Sequence, residues 1–372
     1  MNKVDIVYVV PYLINSGPIN VLYNIVKNLD RNVFNLTIIS LVDNRFPEKS
    51  NKALFEKLQI NIIEYPYSNL YLQFNYASIA QEIEQSYNAS STIFHAHGYY
   101  PTLVLSKMKN ALTINTIHNI CDEDFKMTKG FLMGSYMSYM YKRAFRNLTL
   151  SVPITDFMKD YYEKDKSLKL QTIYNGVDGE DQVYSLEHKN QIKSELNIPI
   201  DAKVLLYPAV FSEGKNHVEL IKAIKECKEN VFVLFAGHGP KVDECKQLVG
   251  EDRHFCFLGF QMNLSKYWAV ADFMISTSKS EGLPMAVLEA LVRGIPCILS
   301  NILPHQEVIQ KVFNSTQLCY QLGDIQSLVD CIKAHINVDY NHSDIQQKAR
   351  NYYSSQVMAE GYSNLYIRLS KE

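Results

Sequence analysis

The sequence predicts an α/β protein of two domains, each built on a parallel β-sheet with helices on both faces. Short β-rich runs alternate with amphipathic stretches along the chain, a pattern typical of repeated strand–helix units. The alternation restarts after a polar stretch at residues 179–197. The length of 372 residues also exceeds what one ordinary hydrophobic core organises. Two doubly wound domains of roughly 150 to 200 residues are therefore predicted.

The predicted strands fall into two sets. The first set begins with residues 5–10, DIVYVV, an apolar run typical of a buried strand, and a turn at 15–18 leads into a helix at 19–29. The other strands of this set are predicted at residues 35–41, 60–64, 92–95, 112–117 and 148–153. The second set is predicted at residues 203–207, 231–236, 255–258, 273–276 and 297–300.

Composition indicates an ordinary globular protein, with 47% hydrophobic and 20% charged residues. The formal net charge of −2 argues against nucleic acid as a main partner, because such a partner requires a basic surface. The seven cysteines are scattered without a CxxC pair, so we expect reduced thiols. No signal peptide and no apolar run of membrane-spanning length is visible, and we expect a cytoplasmic protein.

Residues 280–296 carry the most informative local pattern. Pro284 suits the first position of a helix and Gly294 suits the position just past its end, so a helix is predicted between them. At such a start the amides of about residues 283–286 lack intrahelical partners, except at Pro284, which has no N–H. The positive end of the helix dipole lies there too, and the two effects together favour a bound phosphate.

Two carboxylates accompany this helix start. Glu281 precedes it, and Glu289 is predicted roughly 8 Å further along the helix, at about 1.5 Å of rise per residue. A ligand with a phosphate at one end and a polyol further along fits both features. A nucleotide sugar is such a ligand.

Polar residues also follow several predicted strands, where open α/β sheets bind their ligands. In the first half these are residues 15–17 and His118; in the second half they are residues 213–215 and 237–239. Both halves therefore present strand-end loops that we expect to face a shared cleft.

The chain resembles the retaining glycosyltransferases of family 4. The resemblance is carried by HAHG (95–98), YNGVD (174–178), FSEGKNH (211–217), AGHGP (236–240), LGF (258–260) and EGLPMAVLEALVRGIPCILS (281–300). The last segment is the most specific, with seven residues between its two glutamates. The resemblance implies the GT-B fold, in which two Rossmann-like domains face a cleft. It also implies transfer of a sugar from a nucleotide diphosphate with retention and without an obligatory metal or other cofactor.

The resemblance implies an acceptor-side domain at residues 1–178 and a nucleotide-sugar-binding domain at residues 179–355. We expect the final helix, at about 356–372, to pack back on the first domain.

Roles follow from the resemblance position by position. Glu281 and His118 would face the donor sugar at the reaction centre, and Lys215 would neutralise charge on the leaving diphosphate. Glu289 would accept hydrogen bonds from the two ribose hydroxyls. The donor-binding residues implied are Gly17, Lys215, Gly237, Gly259, Phe260, Glu281, Gly282, Leu283, Pro284, Met285 and Glu289.

One position departs from the family pattern. The family has an arginine five residues before the lysine, and this chain has Val210 there. Losing one of two cations would weaken diphosphate binding by about 1–3 kcal/mol unless another group substitutes. Lys279, Arg293 or a lysine of the first domain are the candidate replacements.

Two further motifs argue against a metal site and against a dehydrogenase. His95 and His97 have no third ligand at a spacing suited to a metal, so they are interpreted as a structural pair at a strand end. The run 237–239 lacks the third glycine of a dinucleotide fingerprint, which argues against a dehydrogenase.

Residues 125–148 mix aromatic residues, methionines and five cations. Such a stretch suits a helix at a membrane interface, with its cations on anionic head groups. It equally suits a helix whose apolar face packs on the first sheet. The two interpretations stay open, and with them a position at the inner face of the plasma membrane.

The resemblance therefore predicts a retaining transferase that moves a hexose or N-acetylhexosamine from a UDP- or GDP-sugar to a glycan acceptor, expected to be lipid-linked, in cell-surface polysaccharide biosynthesis. A catalytically quiet sugar-nucleotide-binding partner protein and a GT-B sugar-nucleotide epimerase are the alternatives. The donor sugar, the base, the acceptor and the linkage are left open by the sequence.

Overall fold

Each half of the chain folds around a six-stranded parallel β-sheet. A computed structural model describes residues 3–42, 50–179 and 184–371. The chain divides into an N-terminal unit, Met1–Gly176 with Ser355–Glu372, and a C-terminal unit, Val177–Ser354. The predicted α/β fold class is confirmed, because every strand pairing in both sheets is parallel.

The strands of the N-terminal unit are β1 (Val4–Val10), β2 (Phe34–Ser40), β3 (Asn61–Glu64), β4 (Thr92–His97), β5 (Leu112–Ile117) and β6 (Leu150–Pro153). Its helices are α1 (Gly17–Asn28), α2 (Lys52–Lys57), α3 (Asn69–Phe74), α4 (Tyr76–Gln85), α5 (Tyr99–Leu105), α6 (Cys121–Lys129), α7 (Phe131–Phe145) and α8 (Asp156–Tyr162). The strand order is β3-β2-β1-β4-β5-β6.

The C-terminal unit has six further strands: β7 (Lys203–Pro208), β8 (Val231–Ala236), β9 (Phe255–Gly259), β10 (Phe273–Ser276), β11 (Cys297–Ser300) and β12 (Cys319–Tyr320). Its α-helices begin with α9 (Leu186–Glu195), α10 (His217–Glu226), α11 (Val242–Val249) and α12 (Ser265–Val270). They continue with α13 (Met285–Leu291), α14 (Leu303–Phe313), α15 (Ile325–His335) and α16 (His342–Tyr353). The strand order is β12-β11-β10-β7-β8-β9.

The central strands are apolar along their length because helices cover both faces of each sheet. In β1, residues 6–10 are all at most 1% exposed, and every residue of β8 is buried. These are the runs that identify the strands in the sequence.

The last helix, α17 (Ser355–Leu369), belongs to the N-terminal unit and packs against α1. The hydroxyl of Tyr366 lies 3.0 Å from the hydroxyl of Tyr8 in β1 and 2.8 Å from Nδ1 of His95 in β4. The hydroxyl of Tyr362 lies 2.7 Å from Oγ1 of Thr116 in β5. Buried polar side chains of α17 are thus satisfied by the sheet it covers, as buried polar groups must be.

The structure differs from the sequence predictions at several boundaries. Strand β12 was not predicted, because two residues at a sheet edge are too short for an alternation pattern. Strand β6 begins at Leu150 and not at residue 148, because Leu148 still belongs to the turn after α7, where its amide donates to the carbonyl of Phe145. The polar stretch at 179–197 contains α9, while residues 180–183 lie outside the described residues.

All seven cysteines are free thiols. Within the described ranges, no helix is both long enough and apolar enough to cross a membrane.

Candidate active site

The C-terminal unit brings Lys215 and Glu281 together at the carboxyl end of its sheet. Lys215 ends a short 3₁₀ turn, Glu213–Lys215, after β7, and Glu281 lies in the loop after β10. Strands β7 and β10 are neighbours in the sheet, so the two loops are adjacent. The Lys215 ammonium donates to the Glu281 carboxylate, and the two side chains are 30% and 14% exposed. Two residues predicted at the reaction centre therefore form an ion pair.

Side-chain hydroxyls hold the backbone of the turn that carries Lys215. Tyr207 in β7 donates its hydroxyl to the carbonyl of Lys215. Thr277, which follows β10, donates its hydroxyl to the carbonyls of Lys215 and Asn216, at 3.1 and 2.9 Å. Asn216 takes a left-handed conformation with φ of 55°, which asparagine tolerates better than most residues. These bonds fix where Lys215 leaves the backbone.

Helix α13 begins one residue later than predicted. Pro284 occupies the N-cap position, with φ −77° and ψ 90°, and Met285 is the first helical residue. A proline suits both the N-cap and the first helical position, so the sequence did not distinguish between the two. Gly294 lies in the turn after the helix with φ 81°, and an added Cβ there would overlap the carbonyl of His342. Glycine is required at this position for both reasons.

Glu289 lies half-buried in α13. Burial raises the pKa of Glu289 above its usual range, and the nearby Arg293 opposes that rise. Arg293 donates to the backbone carbonyl of Glu289 at 2.8 Å and lies 5.7 Å from the Trp268 ring centroid. Within the described part of the chain, no group hydrogen-bonds to the Glu289 carboxylate. A half-buried carboxylate without a hydrogen-bond donor is a group whose partner a ligand can supply.

Two more lysines lie near the turn that carries Lys215. Lys279 donates to the Glu213 carboxylate at 2.6 Å, and its amide donates to the carbonyl of Gly214 at 2.8 Å. Lys241 lies 3.6 Å from the other oxygen of Glu213 and donates to Glu244 at 2.7 Å. Neither Glu213 nor Lys241 was predicted from the sequence as a charge partner. Their positions after β7 and β8 are the signal that points to them.

The glycine and phenylalanine positions predicted near the donor differ in character. An added Cβ at Gly237 would overlap the carbonyl of Ala209, so the close approach of two strand-end loops explains this glycine without a ligand. Gly259 has φ 69° with open space around it. Phe260 is exposed, as is Val210 at the position of the missing arginine. Gly282 and Met285 are partly exposed, whereas the side chain of Leu283 is buried in the core.

His305 was missed by the sequence analysis. It lies in α14, after β11, with Nδ1 3.0 Å from the Ser300 hydroxyl. Burial lowers the pKa of His305 to about 4, and the charge of Glu281 opposes the shift. Its Nε2 is buried and has no hydrogen-bond partner among the described residues. A neutral imidazole thus lies within electrostatic range of the Lys215–Glu281 pair.

The N-terminal unit holds the other predicted site residues at the ends of its own strands. Gly17 is the first residue of α1, after β1, with open space where a side chain would be. His118 follows β5, half-buried, and its Nε2 lies 3.1 Å from Nδ1 of His97. Burial lowers the pKa of His118 to about 4, so the imidazole is neutral at neutral pH. It therefore offers a neutral hydrogen-bonding group.

The pair His95 and His97 lies inside β4, fully buried. Both ring nitrogens of His95 are hydrogen-bonded, to Tyr366 and Thr116 at 2.8 Å each. Burial lowers the pKa of His95 to about 3, so it stays neutral. No cluster of three metal-ligating side chains occurs in the ranges the structure describes.

Two family models match this chain, one in each unit. The family model described as "Glycosyl transferases group 1" matches residues 188–352, inside the C-terminal unit. The model described as "Glycosyltransferase Family 4" matches residues 16–181, most of the N-terminal unit. The fold and these matches define a glycosyltransferase of the GT-B class. The chain belongs to the family 4 type of that class.

The chain is also similar to curated proteins at 24–27% identity. The O-antigen biosynthesis glycosyltransferase WclY of Escherichia coli is 24% identical over 381 residues, which cover 99% of each chain. The N-acetyl-alpha-D-glucosaminyl L-malate synthase of Bacillus anthracis is 27% identical over 213 residues, and the match spans 55% of each chain.

Solved structures show the same fold at low identity. Anabaena HepE in complex with UDP superimposes with a TM-score of 0.78 at 17% identity, covering 98% of this chain and 100% of that one. A sucrose-phosphate synthase of Thermosynechococcus elongatus superimposes with a TM-score of 0.75 at 14% identity, covering 98% of this chain and 99% of that one. At such identities the likeness establishes the fold.

Proposed function

We propose that this glycosyltransferase retains the anomeric configuration and moves a hexose or N-acetylhexosamine from a UDP- or GDP-sugar to a lipid-linked glycan acceptor in cell-surface polysaccharide biosynthesis. Two features carry the proposal: the Lys215–Glu281 ion pair, and the Glu289 carboxylate, to which no described residue donates a hydrogen bond. The neighbouring loops after β7 and β10, together with helix α13, then offer a cation and two anions to a single ligand. Retention follows from the resemblance to family 4.

Glu289 binds the ribose of the donor. Its half-buried carboxylate has two oxygens and no hydrogen-bond donor from the described chain, and a vicinal diol supplies two donors. Charge assistance strengthens both bonds. Arg293 occupies the backbone carbonyl of Glu289 and leaves the carboxylate free for the ligand.

Lys215 and Glu281 divide the charges of the reaction. The bond from the anomeric carbon to the diphosphate oxygen breaks, a bond to an acceptor hydroxyl oxygen forms, and the proton of that hydroxyl passes to the leaving diphosphate. Negative charge grows on the leaving diphosphate, where the Lys215 ammonium stabilises it. Positive charge grows at the anomeric centre, on the side that Glu281 faces. Without ligand the two groups neutralise each other, which lowers the cost of holding both half-buried.

Lys279 takes the role of the family's arginine, whose position is occupied by Val210 in this chain. Arg293 is engaged at the end of α13, whereas Lys279 is bonded through its backbone to the turn that holds Lys215. Its partner Glu213 is mostly exposed, so the ion pair costs little to break when a diphosphate arrives.

The resemblance to family 4 names the residues that supply the remaining contacts. Gly17 presents its amide without a side chain, and neutral His118 hydrogen-bonds the donor sugar. In the C-terminal unit, the amides of Leu283, Met285 and Ala286 border the phosphate, and the segment Gly259–Phe260 borders the base. Three lysines close to the proposed diphosphate site fit a reaction that requires no metal.

The names of relatives support the biosynthetic setting. One Escherichia coli relative, 26% identical over 175 residues, is a UDP-Gal:alpha-D-GlcNAc-diphosphoundecaprenol alpha-1,3-galactosyltransferase. A Campylobacter jejuni relative, 25% identical over 187 residues, likewise carries a diphospho-undecaprenol acceptor in its name. We infer a polyprenyl-linked acceptor for this chain and a place at the inner face of the plasma membrane.

The first experiment is a thermal-shift screen of UDP, GDP, ADP and their sugars, followed by linkage analysis of the product made with the donor that binds. One base is expected to raise Tm above the others and its sugar to be transferred without added metal. Binding without transfer or donor hydrolysis would support the alternative that exposed Val210 favours, a quiet sugar-nucleotide-binding partner. Interconversion of free sugar nucleotides would indicate the epimerase.

A further inference from the structure

An apolar surface stands out at the junction of α6 and α7 in the N-terminal unit. All residues from 126 to 133 are exposed, and we call this segment the hairpin tip. Its large apolar members are Met127, Phe131, Leu132 and Met133, of which Leu132 is 84% exposed. Isolated exposed apolar residues are ordinary, whereas a contiguous group marks an interaction site.

The apolar surface continues beyond the hairpin tip. Tyr136 and Tyr139 of α7 are exposed, as are three residues of α3, namely Leu70, Tyr71 and Phe74. Tyr76, which follows α3, is an electrostatic neighbour of both Tyr100 and Tyr136, and Gln73 of α3 donates to the Tyr100 hydroxyl at 3.2 Å. The two helices therefore contribute to one face of the unit.

The hairpin is held firmly below its tip. Gly134 of α7 is buried against the backbone of Phe125 and Lys126 in α6, so closely that an added Cβ would overlap the Phe125 carbonyl. Gly134 thus joins the two helices and does not break α7, whereas Gly130, with φ 78°, separates α6 from α7. A structured hairpin presents the apolar residues.

Charge is arranged along the same hairpin. Helix α6 has its three carboxylates, residues 122–124, in the first turn and Lys126 and Lys129 in the last turn, next to the tip. The ammonium of Lys126 lies 5.6 Å from the centroid of the Phe131 ring. In α7, Lys142 is paired with Asp122, away from the tip. The lysines closest to the apolar residues therefore stay available to an anionic partner.

We propose that the hairpin tip and the exposed side of α3 dock on an anionic lipid membrane. The apolar side chains enter the acyl boundary while Lys126 and Lys129 contact head groups. A projecting tip of apolar residues flanked by lysines suits a deformable layer that accepts apolar groups and carries negative charge. The tip lies at residues that the donor site does not use, so the inference stands whether or not the proposed reaction is correct.

The test is sedimentation of the full chain with vesicles of phosphatidylcholine alone and of phosphatidylcholine with phosphatidylglycerol. Binding to the anionic vesicles at low salt is expected, with little binding to neutral ones. The double variant Phe131→Ser, Leu132→Asp is expected to reduce the partition coefficient by roughly tenfold or more, because two apolar anchors are lost. Lys126→Gln with Lys129→Gln is expected to remove the preference for anionic lipid.

Leu186→Asp is the matched control, because Leu186 is similarly exposed, at 74%, and lies on α9 of the other unit. It is expected to leave vesicle binding unchanged, and circular dichroism checks that every variant is folded. No vesicle binding at low salt, or equal loss in the control, overturns the proposal. It is also overturned if the chain dimerises through this surface, with Leu132→Asp abolishing the dimer while vesicle binding persists.

Discussion

The folded protein without ligand favours a protonated Glu289, whereas the proposed ribose contact requires its carboxylate. Burial raises its carboxyl pKa, so the folded chain resists ionising it, whereas a ribose diol needs the carboxylate. A group kept at such a cost to stability is typical of a functional site.

Glu289→Gln is predicted to weaken UDP or GDP binding roughly 10- to 100-fold, since charge-assisted hydrogen bonds contribute about 1.5–3 kcal/mol. The same variant is predicted to raise Tm at neutral pH. A raised folded-state pKa means that stability is highest below the usual value of 4.5 and is lost as pH rises through the folded-state value. The gain in Tm therefore vanishes at acid pH. Glu226→Gln, at the exposed C-terminal end of α10, is the control, and unchanged affinity in Glu289→Gln would refute the ribose assignment.

Lys279 supplies a second test at this scale. Lys279→Met is predicted to weaken binding of the nucleoside diphosphate about tenfold, or about 1.4 kcal/mol, while binding of the free nucleoside stays unchanged. Calorimetric titration at two salt concentrations measures both. Lys333→Met in α15 is the control. A loss shared by nucleoside and diphosphate would show that Lys279 acts on the fold and not on phosphate.

At the scale of elements, glycines at close approaches explain why loops meet where they do. Gly294 combines positive φ with contact to the His342 backbone, and this contact ties the end of α13 to the start of α16. Helix α13 holds Glu289, so its placement depends on this turn.

Gly294→Ala is predicted to lower the free energy of unfolding by roughly 1–3 kcal/mol, because the substitution forces both a strained backbone and a clash. Urea unfolding measures the change. Gly214→Ala is the control, because Gly214 has open space and no positive φ. Equal effects at the two positions would contradict the packing explanation.

The strands were predictable because parallel strands that are buried on both faces consist of continuous runs of apolar residues. Residues 112–117, 231–236, 273–276 and 297–300 were predicted with the bounds they have in the structure. The ion pair of Lys215 with Glu281 was not, since the loops that carry them lie 66 residues apart and meet only through the pairing of β7 with β10. His305 was missed for the same reason: nothing local marks a histidine whose importance comes from burial near another loop.

For the whole molecule, buried histidines set the acid limit of stability. Burial lowers the pKa of His95 and His217 to about 3 and of His118 and His305 to about 4, all from a usual value of 6.5. Groups with depressed folded-state pKa values bind protons only on unfolding, so stability present above pH 6.5 is lost as pH falls towards 4.

Melting curves across this range are predicted to show a steep fall in Tm below pH 6.5, with uptake of protons on unfolding. Titration calorimetry in buffers of different ionisation enthalpy counts those protons. A flat Tm between pH 6.5 and 4.5 would contradict the buried, neutral state of these histidines.

Anomeric proton NMR tests most directly whether Glu281 acts at the anomeric centre while Lys215 stabilises the leaving diphosphate. With the donor found by screening and no divalent metal, the wild-type chain is predicted to release or transfer the sugar with the anomeric configuration it had in the donor. Glu281→Gln is predicted to do so roughly 100-fold or more slowly, a loss of about 2.7 kcal/mol of transition-state stabilisation, while donor affinity changes little. An inverted product, or an undiminished rate in Glu281→Gln, would contradict the account.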